Sequence, residues 1–344
     1  MFYWLIFLAV LIVSAVFTFL VRRLALAFKI VDAAEGNPSG ARKIHVGAIP
    51  LLGGLAIFFA YFLFLFIFAS HFLRGALGWP ELLGFFSGAL IIIIGGVLDD
   101  KYNLRPWQQI IFPVLAVLAV IIGGVSVSKL TNPFGGVINL GAFSLIGSLI
   151  IAVWLLGMMY TTKLLDGVDG LVSGVAAIGG FIIFLFTLTT RYYQPNIAFA
   201  ALLLVAVCLG FLIFNWHPAK IFLGEGGSLL LGYILGVLAI ISGGKIAIAL
   251  LVMGIPILDV AWTILRRLAS GRNPFKSADS LHLHHRFLAL GLGQRGTVLV
   301  FYALSLIFGL AGLFLQSRGK FWALVILVLI MLGIVIGFSR GKRK

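Results

Sequence analysis

The feature that most constrains this chain is the recurrence of long apolar runs along its length, separated by short polar segments. In lipid, every backbone N–H and C=O must find a partner inside the protein, which restricts spanning structures to helices and closed barrels. A barrel would show short segments of alternating hydrophobicity, whereas these runs have the length of spanning helices. Eleven spans are predicted, at about 2–21, 51–70, 83–98, 108–124, 144–160, 170–189, 197–214, 228–242, 246–264, 297–315 and 320–338. With 344 residues, 62% hydrophobic, 10% charged and a mean hydropathy of +1.19, the chain is predicted to be an all-α polytopic membrane protein. It reads as a single integral-membrane domain over residues 1–344. The lone Cys208 lies in an apolar run and leaves neither a disulfide framework nor a cysteine metal site.

The first run has no basic residue ahead of it and no small-residue cleavage pattern, and Arg22-Arg23 follow it directly. It is therefore expected to be an uncleaved span with its N-terminus outside. The segments after the odd-numbered spans then face the cytoplasm, as does the C-terminus. They hold all of the 25 Lys and Arg residues except Arg74, Lys129, Arg191, Lys245, Arg318 and Lys320. The net charge of +15 thus follows the positive-inside rule, not the pattern of a nucleic-acid patch, and no nucleic-acid partner is expected. Around 125–142, alternating residues flank Asn132-Pro133-Phe134-Gly135-Gly136, which predicts a short β-hairpin at the outer surface.

Span parity also collects the acids. Asp166 and Asp169, in Asp166-Gly167-Val168-Asp169-Gly170, stand at i and i+3, one face of a helix, with glycines that allow close approach. Asp99-Asp100 end the third span and Glu225 follows the seventh, so all five carboxylates fall on the cytoplasmic side. Each motif alone also fits a helix cap. Five carboxylates at one face, however, would repel unless a cation lies among them. Mg²⁺ suits such a place, because it is held by one or two carboxylates together with substrate phosphates; Mn²⁺ is the alternative ion.

Other motifs share that face. Arg42-Lys43-Ile44-His45, ahead of Gly53-Gly54, suits a phosphate at a helix start, though it also fits an ordinary basic cluster. Phe214-Asn215-Trp216-His217-Pro218 leads into Gly224-Glu225-Gly226-Gly227-Ser228, a glycine-rich cradle around an acid that is not a Walker loop. Asp279-Ser280-Leu281-His282-Leu283-His284-His285-Arg286 could bind zinc, but with no nearby cysteine it fits diphosphate or sugar contacts better. Asp259 either joins the site or pairs with Arg266 or Arg267. Segments 22–50, 99–107, 161–169, 215–227 and 265–296 are expected to form the active site.

Taken in order, the RKxH, GxxDD, DGxDGL, FNxxPAxxFxGxxGS, PxxD and HxHHR segments resemble those of the polyprenyl-phosphate N-acetylhexosamine-1-phosphate transferases. This family includes the enzymes that start lipid-linked glycan synthesis and the phospho-MurNAc-pentapeptide translocase. The HLHHR form is more similar to the branch that uses UDP-N-acetylglucosamine. Three positions depart from the family's pattern: Tyr160 and Lys163 stand where Asn is usual, and Glu225 where Asp is usual.

The resemblance implies transfer of a sugar 1-phosphate, N-acetylglucosamine 1-phosphate foremost, from a UDP-sugar to a polyprenyl phosphate. UMP is released and a cell-envelope glycan (cell wall or lipopolysaccharide) is begun. It implies a Mg²⁺-dependent enzyme of the inner or plasma membrane with its site facing the cytoplasm. Glu225 and Asp166 are then metal ligands, Asp99 deprotonates or positions the lipid phosphate, and Asp100 and Asp169 support them or contact the nucleotide. Arg42, Lys43, His45, Lys163, Asn215, His282, His284, His285 and Arg286 are assigned to substrate. The partners expected are the UDP-sugar, the membrane-borne polyprenyl phosphate and, as an oligomeric option, a second copy in a homodimer. The alternatives are a catalytically impaired member that binds lipid or a glycan-assembly complex, and a membrane transporter using the acids as an ion path.

Overall fold

The computed structural model describes residues 2–33, 47–75, 77–132, 134–141, 144–189, 192–243, 246–271 and 282–341. A helix coincides with every predicted span. These are α1 (Phe2–Ala27), α2 (Gly53–Ile67), α4 (Trp79–Tyr102), α6 (Ile111–Ile122), α7 (Leu145–Leu165), α8 (Leu171–Thr187), α9 (Pro195–Asn215), α10 (Gly224–Ile241), the pair α11 (Ile246–Val252) and α12 (Gly254–Ala269), α14 (Gly293–Phe314) and α15 (Ser317–Gly341). Short helices α3 (Ala69–Phe72), α5 (Pro106–Gln109) and α13 (Leu283–Ala289) join them. Among the described residues, seven helices are long and apolar enough to cross a membrane, or eight if the α11–α12 pair is one span. The chain is therefore an all-α polytopic membrane protein. Segments 53–67, 106–122 and 171–187 are apolar but shorter than the rest.

The ninth predicted span is not one straight helix: α11 and α12 meet at 80°. Gly254 and Pro256 open α12, and proline supplies no N–H to the turn before it, so the apolar run breaks there. Past the bend, α12 buries a polar face of Asp259, Thr263 and Arg267.

Two small antiparallel ribbons complete the fold. β3 (Lys129–Thr131) pairs with β4 (Val137–Asn139) around Asn132–Gly136, the hairpin expected from that stretch. It precedes α7 and so lies at the end of that helix remote from Asp166. The second ribbon, β1 (Val31–Ala33) with β2 (Ala48–Pro50), lies inside what the sequence suggested was a loop over 22–50. Leu51 N–H continues it by donating to Ile30 O at 3.1 Å, and Phe222 N–H ties it to the α9–α10 connection by donating to Pro50 O at 2.9 Å.

At the centre stands α10, with 89% of its span buried against 17% for α15 at the periphery. Its first turn comes close enough to two neighbours for backbones to touch. A Cβ on Gly96 of α4 would lie 2.1 Å from Gly226 Cα, and one on Gly54 of α2 would lie 2.4 Å from Gly227 Cα. Farther along, Tyr233 O–H donates to Phe85 O of α4 at 2.9 Å, and Trp154 Nε1 of α7 donates to Gly236 O at 3.0 Å. This packing draws the ends of α2, α4, α7 and α10 together, and with them the acids those ends carry.

Candidate active site

At that end of the bundle a cavity of about 320 Å³ is lined by six carboxylates: Asp32, Asp99, Asp100, Asp166, Asp169 and Glu225. Asn215, His285 and Gln294 complete its polar wall. The five acids predicted to share a face do converge. Asp32, which the motifs did not single out, joins them because the β1–β2 ribbon folds its segment back onto the site.

The acids differ in what holds them. Asp99 Oδ1 accepts from Leu104 N–H at 2.8 Å and from Gln109 Nε2 at 2.9 Å, which fixes the turn between α4 and α5. Asp100 Oδ1 accepts from the Glu225 N–H at 3.0 Å, at the first turn of α10, where an acceptor meets unpaired N–H groups. Gly224 adopts a left-handed φ of 74°, and a Cβ there would strike Asp100 Oδ2, so this contact requires glycine. Asp169 Oδ2 is paired with His217 Nδ1 at 2.7 Å and accepts from Ala219 N–H at 3.1 Å. It thereby clamps the DGxDG loop to the segment after α9.

Asn215 works on the same joint. Its Oδ1 accepts from Gly170 N–H at 3.1 Å and from Ser173 Oγ at 3.0 Å, while its Nδ2 donates to Ile221 O at 3.0 Å. These bonds make it a buried brace between α8 and the chain leading to α10, although it also touches the cavity wall.

Asp166, just past the end of α7, is exposed where it lines the cavity. Crowding by the surrounding chain first, then the charges of Glu225, Asp100 and Asp169, hold its pKa above the ordinary carboxylate range. Glu225 forms an ion pair with Lys163, and Lys163 Nζ also donates to Gln109 Oε1 at 3.1 Å. The Tyr160 ring lies 5.7 Å from the same ammonium. The three positions that depart from the motif pattern, Tyr160, Lys163 and Glu225, therefore meet in one contact.

The histidine segment contributes His285 to the cavity wall. Asp259 pairs with His282. Its Oδ2 pairs with His282 Nδ1 at 2.8 Å and its Oδ1 accepts from Leu283 N–H at 2.9 Å. The rings of His282 and His284 stack with centroids 5.7 Å apart, and those of His284 and His285 lie 4.3 Å apart. His284 packs over the DGxDG loop, where a Cβ on Gly167 would meet its Nε2 at 2.6 Å. Burial, with His285 and His282 adding to it, lowers the His284 pKa well below the ordinary histidine value, so it is neutral at pH 7. His284 Nδ1 is buried with no hydrogen-bond partner among the described residues. Arg286 lies on α13. Arg42, Lys43 and His45 fall outside the described residues.

Among the described residues, no three His, Cys, Asp or Glu side chains are grouped tightly enough to form a ready-made metal cage. Six of the nine polar side chains that line the cavity among the described residues are nevertheless carboxylates. They suit a hard cation held by one or two of them, with phosphate and water completing its shell.

The chain is similar to proteins of known family. Residues 82–243, which span α4 to α10, match the family model described as Glycosyl transferase family 4. The chain is 31% identical over 332 residues to the probable undecaprenyl-phosphate N-acetylglucosaminyl 1-phosphate transferase of Bacillus subtilis (strain 168), covering 95% of this chain and 88% of that protein. It is 32% identical over 295 residues to the decaprenyl-phosphate N-acetylglucosaminephosphotransferase of Mycobacterium tuberculosis (strain CDC 1551 / Oshkosh), covering 76% and 70% of the two chains. The undecaprenyl-phosphate alpha-N-acetylglucosaminyl 1-phosphate transferase of Thermotoga maritima is 30% identical over 274 residues, covering 79% of each. By these matches the chain belongs to glycosyl transferase family 4, among the polyprenyl-phosphate N-acetylglucosamine-1-phosphate transferases.

Proposed function

We propose that this protein transfers N-acetylglucosamine 1-phosphate from UDP-N-acetylglucosamine to a polyprenyl phosphate, releasing UMP and beginning a lipid-linked cell-envelope glycan. The observation that carries this reading is the convergence of six carboxylates with Lys163 and the histidine segment at one end of an apolar helical bundle. Both substrates bring phosphates, one of them on a lipid, and such a place offers polar groups at a water–lipid boundary. The three relatives described above carry polyprenyl phosphate and N-acetylglucosamine in their names. The bundle is taken to cross the inner or plasma membrane eleven times, with its N-terminus outside, the β3–β4 hairpin outside and the cavity facing the cytoplasm. The 19 basic residues assigned to the cytoplasmic segments support that orientation.

In this reading Mg²⁺, held by Asp166 and Glu225 with Mn²⁺ as its substitute, supplies charge neutralisation for the diphosphate when bound. The chain's own residues do the positioning. Asp99, held by Leu104 N–H and Gln109, presents its second oxygen to the lipid phosphate. Asp100 fixes the first turn of α10 and with it the backbone of Glu225. Asp169 and Asn215 hold the loop that carries Asp166. His285, which lines the cavity, offers a hydrogen bond to the sugar or phosphate, with neutral His284 packed behind it against the DGxDG loop, while Arg286, Arg42, Lys43 and His45 contribute further donors. Phosphoryl transfer depends chiefly on positioning and charge neutralisation, which is what such a wall can provide.

The test is UMP release by purified protein given Mg²⁺, polyprenyl phosphate and UDP-N-acetylglucosamine. Release should require all three additions. No release above a protein-free control in any lipid or detergent would remove this reading and favour a binding role for the same cavity.

A further inference from the structure

Lys163 is the one lysine or arginine, among the described residues, whose ion pair with a cavity-lining carboxylate is seen. It stands in the last turn of α7, where the helix dipole favours a cation. Its ammonium is paired with Glu225 and donates to Gln109 Oε1, while Gln109 Nε2 donates to Asp99 Oδ1 at 2.9 Å. The amide can satisfy both neighbours in only one orientation, accepting from the ammonium and donating to the carboxylate. One ammonium thus links carboxylates carried by α10 and α4. Lys163 and Glu225 have side-chain exposures of only 21% and 17%, so bulk water does little to screen the pair.

From this geometry we infer that Lys163 is a built-in counter-cation. It competes with a divalent ion for Glu225 and, through Gln109, holds Asp99 in register while no phosphate is bound. The inference rests on the proposed phosphate-transfer reading only in placing an ion and phosphates in this cavity. A cation arriving alone must displace the ammonium from Glu225, so the resting protein binds divalent ions weakly. A substrate phosphate gives the ammonium a second partner within reach of its flexible four-carbon stem, which frees Glu225 for the ion. Lys163 is in this sense a positioning residue that makes ion binding depend on phosphate.

The experiment is Mn²⁺ binding to the full-length protein in detergent, followed by electron paramagnetic resonance without any substrate. Lys163→Asn should bind Mn²⁺ roughly tenfold or more tightly than the parent, since removing a nearby positive charge favours a cation. Lys163→Arg should stay within about twofold of the parent, because it keeps the charge. Adding Glu225→Gln to Lys163→Asn should abolish the gain. Lys163→Gln serves as an independent neutral replacement should the asparagine variant not fold. Equal Mn²⁺ affinity in the parent and the neutral variants overturns the inference, and so does a gain that survives loss of the Glu225 charge. Turnover enters none of these readings. A protein that releases UMP but shows no effect at Lys163 loses only this inference. A protein that shows the Lys163 effect but never releases UMP loses only the catalytic reading.

Discussion

On one wall of the cavity, Asp100 and Glu225 are placed by helices whose backbones touch, Gly96 against Gly226 and Gly54 against Gly227. Where His285 lines the cavity, the histidine segment hangs from α12 through two hydrogen bonds to Asp259, from His282 Nδ1 and the Leu283 N–H. The first wall is a packing solution and the second a polar one. Closely packed backbones have no side chain to move aside, so an added Cβ must displace a whole helix. A buried carboxylate–imidazole pair can be removed without filling space, and it then leaves unpaired groups, not a clash. Perturbing the glycine packing behind the carboxylate wall should therefore destroy the protein, while perturbing the histidine wall should weaken its use of substrate.

The largest expected effect is at Gly96. Gly96→Val would drive side-chain atoms into the Gly226 backbone. It should cost about 3 kcal/mol or more and abolish recovery of monodisperse protein, as read by size-exclusion chromatography and thermal melting in detergent. A stable Gly96→Val protein would break the packing half of the comparison.

Next is Asp259→Ala, which removes the acceptor for His282 Nδ1 and Leu283 N–H. Loss of these buried bonds should destabilise the protein by about 1–3 kcal/mol. KM for the UDP-sugar should rise by roughly tenfold, with a smaller change in kcat, because binding groups and not the acids are loosened. An unchanged KM would mean that the histidine wall does not meet the donor.

Asn215→Ala should be milder for substrate binding than Asp259→Ala. It strips the acceptor from Gly170 N–H and the donor from Ile221 O. A lowered melting temperature is expected, corresponding to about 1–3 kcal/mol, with UMP release reduced in proportion to folded protein. The smallest effect should come from the exposed Lys129 in the remote β3–β4 ribbon. Lys129→Ala is expected to change stability by no more than about 0.5 kcal/mol and to leave UMP release intact.

Much of this architecture was legible in the order of residues, because span-length apolar runs and loop acids are local signals. Every predicted span coincides with a helix, and the five acids placed on one face by parity do meet. The 80° turn at Met253 had a local signal, Gly254 and Pro256, that hydropathy alone overrode. The remainder depended on contacts between distant segments. Asp32 reaches the cavity through pairing of Val31–Ala33 with Ala48–Pro50, too short a ribbon to show periodicity. Gln109 gains its role because α5 folds beneath Asp99. The hydrogen bonds by which Asp169 and Asn215 hold loops were likewise not legible, since a carboxylate or amide is satisfied by whatever N–H groups tertiary packing brings to it.

The central claim is that the carboxylate wall carries out the chemistry, with Asp166 foremost among the groups open to substrate. Its most direct test is UMP release by Asp166→Asn beside the parent protein, both checked for the same melting temperature. The expected result is a loss of at least about a thousandfold with stability retained, in line with removal of a group that stabilises transition-state charge. An Asp166→Asn protein that folds normally and releases UMP at the parent rate would contradict the account.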